Sequence, residues 1–399
     1  MAEIHLLLTG TTLFLAILGI VMNWLGPRSS VSMQHLYAFV TIFILILATL
    51  PHLSLPQVSA GIYLNLGMML TILQLSAYFS GTSANSSRLY AVILVLTAIL
   101  MSSMAHTEIM GVSFGRFMIA AFLWLMLQQF EQVTQIRIRK PSRIEQSFLW
   151  LWVLSAVGSL LSSQIQILPD LLFLVLLIIH LERCWAGSRI ISPIISLYGL
   201  VTFWFLNLTA SISGEAVLNT ELQLPAILVL ALLIRSLMGI SLSRRYFYLF
   251  LAQNIGIIVL TGVNIFQPVG ELFLLMRVLL FISLCGLFVM IESKAGEVIN
   301  LELIHGLFKE RPRFTTAVLI VALLFTIYPA IYLVDVGLLG SILIGAILLA
   351  GLFQLFLLIQ ASFGSRNQPF RILRPSLSIW ATVVFIILWS ALTLVESLG

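Results

Sequence analysis

Charge is what this sequence has least of. Only 9% of its 399 residues are Asp, Glu, Lys or Arg, where a soluble domain carries about 25%. So few charges cannot build a surface that faces water, so a soluble globular enzyme is excluded and the chain reads as a membrane protein. The hydrophobic share of 60% and the mean hydropathy of +1.12 agree. Cysteine is nearly absent. Cys184 stands at the end of one apolar run and Cys285 inside another, a spacing that supports neither a disulfide framework nor a metal site. There is no Walker loop, dinucleotide fingerprint, nucleophile elbow, metal-ligand spacing or CxxC pair. No facing pair of haem-ligating histidines stands out. No cofactor is therefore expected. The net charge of +5 does not point to nucleic acid, because the basic residues sit in short loops between apolar runs.

Long apolar runs are what the sequence has in abundance. Fourteen of them have the length needed to cross a hydrocarbon core, at roughly 4–24, 35–55, 59–80, 88–106, 111–131, 145–163, 166–183, 192–212, 224–242, 247–266, 271–292, 314–334, 337–361 and 376–396. The expected fold is all-α: a polytopic integral membrane protein of about 14 transmembrane helices, one membrane domain over 1–399. The longest connection is the polar loop at 293–313, so no soluble domain is inserted. The first run is long enough to span and no small-residue cleavage site follows it, so no cleavable signal peptide is expected.

The basic residues test this count. Cytoplasmic loops collect Lys and Arg. With fourteen spans, alternate loops share a side. All of the 20 Lys and Arg residues except Arg116, Arg235 and Arg277 then fall in one set of loops, from Arg28 through the Arg137–Arg143 cluster, Arg189, Arg244-Arg245 and Lys309–Arg313 to Arg374. One miscounted span would scramble the partition. It places both termini on the non-cytoplasmic side of the membrane, as in a bacterial inner membrane. The outer connections, such as Leu53 to Val58 and Gln267 to Gly270, are too short for a catalytic domain.

Polar groups inside apolar runs mark ion pathways or structural pairs. Arg116, Arg235 and Arg277 are the deep cations, with Arg235 expected near the middle of its helix. A cation at that depth needs a partner or a water-filled cavity. Glu131, Asp170, Glu271, Glu292 and Asp335 are acids at or near helix ends. Glu131, Glu292, His180 and Arg183 are expected to reach toward the membrane interface. Gln253, Asn254 and Asn264 cluster in one run, either as interhelical glue or as part of a path. Pro329 interrupts a run shortly before Asp335. It frees a backbone carbonyl, by a simple kink or at a broken helix that lines an ion path. Pro193 and Pro225 stand at helix starts.

From the ninth run to the twelfth the sequence resembles the antiporter-like, proton-translocating membrane subunits of respiratory complex I, membrane-bound hydrogenases and Mrp-type antiporters. LSRRYFYLFLAQNIG stands where that family opens a helix with a basic pair. Arg277, Leu280, Phe281 and Gly286 follow at the family's spacing, with Arg in the cation's place. Gly306-Leu307, Lys309, Arg311-Pro312 and Pro329 continue in the family's order, and Asp335 stands nearest its charged residue beyond the break. The resemblance implies two inverted five-helix repeats, helices 4–8 and 9–13: a degenerate first repeat over 88–212, a second over 224–361, and a final helix at 376–396. The first half departs from the family. Its acid in helix 5 is matched only by Glu131, the stretch Leu171 to Ile179 is wholly apolar where a lysine would lie, and Phe203-Trp204 replace another. Arginine holds its proton, so Arg277 is expected to act as a fixed charge.

The resemblance implies a non-catalytic subunit of a multi-subunit ion-translocating complex. Its partners would be other membrane subunits, including a homologous antiporter-type subunit, together with lipids and no nucleic acid. The candidate pathway residues are Arg235, Arg277, Asp335, Glu271, Asn254, Glu131 and His180. The alternative is a stand-alone secondary transporter or lipid-linked sugar flippase. A glycan polymerase is disfavoured by the short outer loops, and a pure scaffold is a limiting case of the first reading.

Overall fold

In a computed structural model the described residues are chiefly 142–161, 168–187, 223–239, 241–261, 278–288, 301–329 and 338–364, with scattered single positions elsewhere. They form helices: α1 (Arg143–Leu161), α2 (Leu168–Gly187), α3 (Gln223–Met238), α4 (Leu242–Thr261), α5 (Val278–Phe288), α6 (Leu301–Ile304), α7 (Leu307–Glu310), α8 (Pro312–Ile327) and α9 (Leu338–Phe363). The chain divides into two units. One comprises Met1–Ser188 with Trp204–Gly214, the other Arg189–Phe203 with Glu215–Gly399.

In the first unit, α1 and α2 pair as an antiparallel hairpin. Ser142 caps α1: its hydroxyl accepts the Glu145 N–H at 3.1 Å and its carbonyl the Gln146 N–H at 3.1 Å. On α2 the buried positions are Phe173, Leu174, Leu176, Leu177, His180 and Leu181, one face of a 3.6-residue repeat. Trp152 of α1 fits between Phe117 and Phe173, with ring centroids 5.3 Å from each. The far side of α1 exposes Trp150, Leu154 and Val157.

In the second unit, α4 is buried nearly all round from Tyr246 to Ile255. Phe250 stacks on Phe281 of α5 at 4.2 Å and 9°, and Phe325 of α8 stands 6.1 Å from Phe281. Small residues let the helices close on this core. Gly199 faces the Phe281 ring so tightly that a Cβ there would overlap it. Phe281 is fully buried and stacked, so it cannot yield. Gly199→Ala is accordingly expected to lower stability by about 1–3 kcal/mol, as overpacking does, read from the thermal midpoint of the purified protein. No change would show that the ring has room to move.

The loop expected at 293–313 carries the short helices α6 and α7. They are joined at Gly306, whose φ of 75° is left-handed and favours glycine. Its N–H donates to the Ala361 carbonyl of α9 at 3.3 Å. Pro312 then opens α8 in its first turn, where a missing N–H costs nothing. Helix α9 is long and apolar enough to cross a membrane. One face of it buries Ile344, Ile347, Leu358 and Ala361, while Ile342, Leu349, Phe353 and Phe356 are exposed. Two expected boundaries move. The run placed at 247–266 begins five residues earlier as α4, because Ser241 starts it, and the run placed at 224–242 ends as α3 at Met238, before Gly239. The runs expected before 142 and after 364 lie outside the described helices.

Candidate functional site

The most chemically charged group of side chains lies inside the α1–α2 hairpin. Helix α1 begins after Pro141 with the pattern Ser142-Arg143-Ile144-Glu145, which reads as a capping box. Ser142 takes its capping role, but the Glu145 carboxylate turns to α2 instead. Its Oε1 lies 3.2 Å from His180 Nδ1 and its Oε2 3.0 Å from Arg183 Nε. Arg183 Nη2 donates to His180 Nδ1 at 2.8 Å. His180 and Arg183 are three apart on α2, so both reach the same acid across the hairpin. Glu145 is 3% exposed and His180 fully buried. The Trp124 ring meets the imidazole at 4.8 Å and 61° and closes it over.

This geometry gives His180 Nδ1 two exclusive roles. With its lone pair free it accepts from Arg183; with a proton it donates to Glu145. Glu145 and Arg183 compensate each other's charge, as burial demands. The imidazole can therefore serve either neighbour by a change of tautomer, Nδ1 accepting from Arg183 or donating to Glu145, with no change of backbone.

His180 and Arg183 were expected to extend to the interface. The structure instead holds both in this cluster, because Glu145 across the hairpin offers a charge partner that the interface would otherwise supply. Glu145 itself escaped the sequence reading, since its place in the S-x-x-E pattern at a helix start looks like local capping. Arg235 is also displaced from expectation. It stands in the last turn of α3, exposed, with its guanidinium 5.8 Å from the Tyr248 ring centroid, rather than at mid-helix. The earlier end of α3 at Met238 accounts for the shift. Asn254 is fully buried in α4. Arg277, Glu271, Asp335, Glu131 and Arg116 lie outside the described residues. Among the described residues no three His, Cys, Asp or Glu side chains come together as a metal site.

Pro329 has a definite consequence. It continues α8 as a short 3-10 turn with Tyr328 and has no N–H for the carbonyl four residues back, Phe325. Gln253 of α4 fills the gap, donating through Nε2 to the Phe325 carbonyl at 3.4 Å. Gln253 is thus interhelical glue between α4 and α8.

No family model matches the chain, and no curated protein does. Among solved structures the chain is similar to a chain of respiratory complex I from Thermus thermophilus (a structure with bound aureothin). The TM-score is 0.60 and the identity 16%, and the match covers 99% of this chain and 98% of the other. The likeness establishes a shared fold from end to end.

Proposed function

We propose that the protein is an integral membrane subunit of a multi-subunit, complex-I-like assembly, of the antiporter-like type. In this reading it supports or partly carries proton or cation translocation. The observation that carries the reading is the fold shared with a complex I chain over nearly the full length of both. Fold alone does not specify function, so the Glu145–His180–Arg183 cluster matters beside it: it is a buried polar group with two alternative pairings at His180 Nδ1. Intramembrane ionisable side chains of this kind are the usual elements of proton relays.

In this reading His180, held between Glu145 and Arg183, is the pathway candidate of the first unit. Arg277, Glu271, Asp335, Asn254 and Glu131 remain pathway candidates, and the chain forms two inverted repeats in a bacterial inner membrane, both termini outside. Any redox chemistry belongs to partner subunits, one of them a homologous antiporter-type protein.

The test is mild-detergent purification of the tagged protein from its native membrane, with mass spectrometry of what travels with it. Antiporter-type or redox subunits in stoichiometric amounts are expected. A lone monomer or homodimer would overturn the assembly and shift the reading to a stand-alone transporter.

A further inference from the structure

Helix α9 carries a polar side chain that the packing of the second unit does not answer. Gln354 is 1% exposed, and neither its Oε1 nor its Nε2 has a hydrogen-bond partner among the described residues. Other buried polar side chains of this unit are served by backbone. The Ser236, Thr326 and Ser362 hydroxyls donate to carbonyls of their own helices, those of Leu233, Ala322 and Leu358, at 2.7, 2.8 and 2.7 Å. Gln253 reaches the Phe325 carbonyl of α8. The Gln354 amide does neither.

Helical geometry says where that amide stands. Ile347 of α9 meets α4, since a Cβ on Gly256 would stand 2.8 Å from its Cδ1. Gly351 meets α8, since a Cβ there would stand 2.8 Å from Thr326 Cγ2. Gln354 follows Ile347 by two helical turns, so it lies on nearly the same stripe about 10 Å further along, and it is a neighbour of Gly351 on the helix surface. The amide is therefore turned inward, well inside α9. The segments on that side bring no charge to it. Helix α9 contains no charged residue, and neither does 247–261 of α4 or 314–327 of α8.

The chemistry of the amide selects its ligand. A side-chain amide accepts through its oxygen and donates through its nitrogen. A bound cation would serve only Oε1 and a bound anion only Nε2, and either would be a charge without a counter-charge on these segments, which burial strongly disfavours. Water serves both atoms. Immobilising a water molecule costs less than burying an amide with its hydrogen bonds unmade. A buried water typically holds about three hydrogen bonds. Gln354 supplies the first of them, and helix carbonyls, which keep a second lone pair, are the acceptors for the rest.

We propose that the Gln354 amide binds internal water, held in the core of the second unit between α9 and the helices packed on it. The inference rests on the packing of that unit and needs neither partner subunits nor ion flux.

The test uses the isotope-labelled full chain in lipid bilayers and follows magnetisation transfer from water to N–H groups by solid-state NMR. The Gln354 side-chain N–H signals are assigned by their disappearance in Gln354→Leu or in Gln354→Met. Transfer to them in the native sequence is expected to be several times faster than to the backbone N–H of Ile344, which is fully buried on the same helix. Transfer no faster than at Ile344 overturns the proposal, since the amide would then be dry. The thermal midpoint of Gln354→Leu gives a second reading. Replacing a dry, unsatisfied amide with an apolar group of similar size raises stability, so a midpoint above wild type also overturns the proposal. An equal or lower midpoint is expected, because the leucine takes away the group that held the water.

Discussion

Glu145→Ala is expected to destabilise the protein by about 3–5 kcal/mol, the cost of breaking a buried ion pair by removing one partner. The acid is the only anion within the described cluster, and its loss leaves Arg183 facing the imidazole of His180. Glu145→Gln keeps an acceptor but loses the charge, so its cost should fall between wild type and alanine. The triple change Glu145→Leu, His180→Leu, Arg183→Leu should cost less than Glu145→Ala alone. Replacing a whole buried charge group with apolar side chains removes the desolvation penalty along with the attraction. Unfolding midpoints of the purified variants, run side by side, give the order. An alanine variant as stable as wild type would mean the acid is not holding the hairpin together. His180→Gln separates stability from transport: it can still hydrogen-bond but cannot pass a proton between two ring nitrogens. If the cluster relays protons, reconstituted flux falls while the midpoint shifts little.

The second large effect comes from the helix break. Gln253→Leu removes a donor to the Phe325 carbonyl, which Pro329 has no N–H to serve. A buried acceptor left without a partner costs about 1–3 kcal/mol. Pro329→Ala restores a backbone N–H at the position that the helix would normally use. In that background Gln253→Leu should cost much less, giving a coupling of about 0.5–3 kcal/mol between residues that contact through one carbonyl. Equilibrium unfolding of the four proteins in the cycle measures it. Additive costs would show that Gln253 and Pro329 do not share the carbonyl, and that the 3.4 Å contact contributes little.

Much of the helical architecture was legible because apolar run length is a direct consequence of what a hydrocarbon core demands. The expected runs from 145 to 163 and from 337 to 361, for example, coincide closely with α1 and α9. Helix starts were partly legible too. Pro312 and Gly306-Leu307 occupy the positions their backbone chemistry favours, a first turn and a left-handed joint. Helix ends were less so. Arg235 looked deep because the run continues apolar to Ile240, and nothing in that run announces that Gly239 ends the helix.

The chemistry was the least legible. His180 and Arg183 are close in sequence and were visible as polar residues near the end of a run, but Glu145 lies 35 residues before His180 and looks like a cap. Gln253 and Phe325 are 72 residues apart. Local pattern says which side chains are polar and roughly how deep they stand, because composition and period are properties of one segment. Which of them meet is decided by how segments pack, and that depends on the shapes of many side chains at once. The amino-acid sequence by itself therefore determined the apolar runs that the described residues form as helices, and the break at Pro329. The tertiary structure alone decided that Glu145 pairs with His180 and Arg183, that Gln253 answers the break, and that Arg235 stands exposed over Tyr248. Each of these is an electrostatic or hydrogen-bond balance between residues on different helices, and only packing brings those residues within reach.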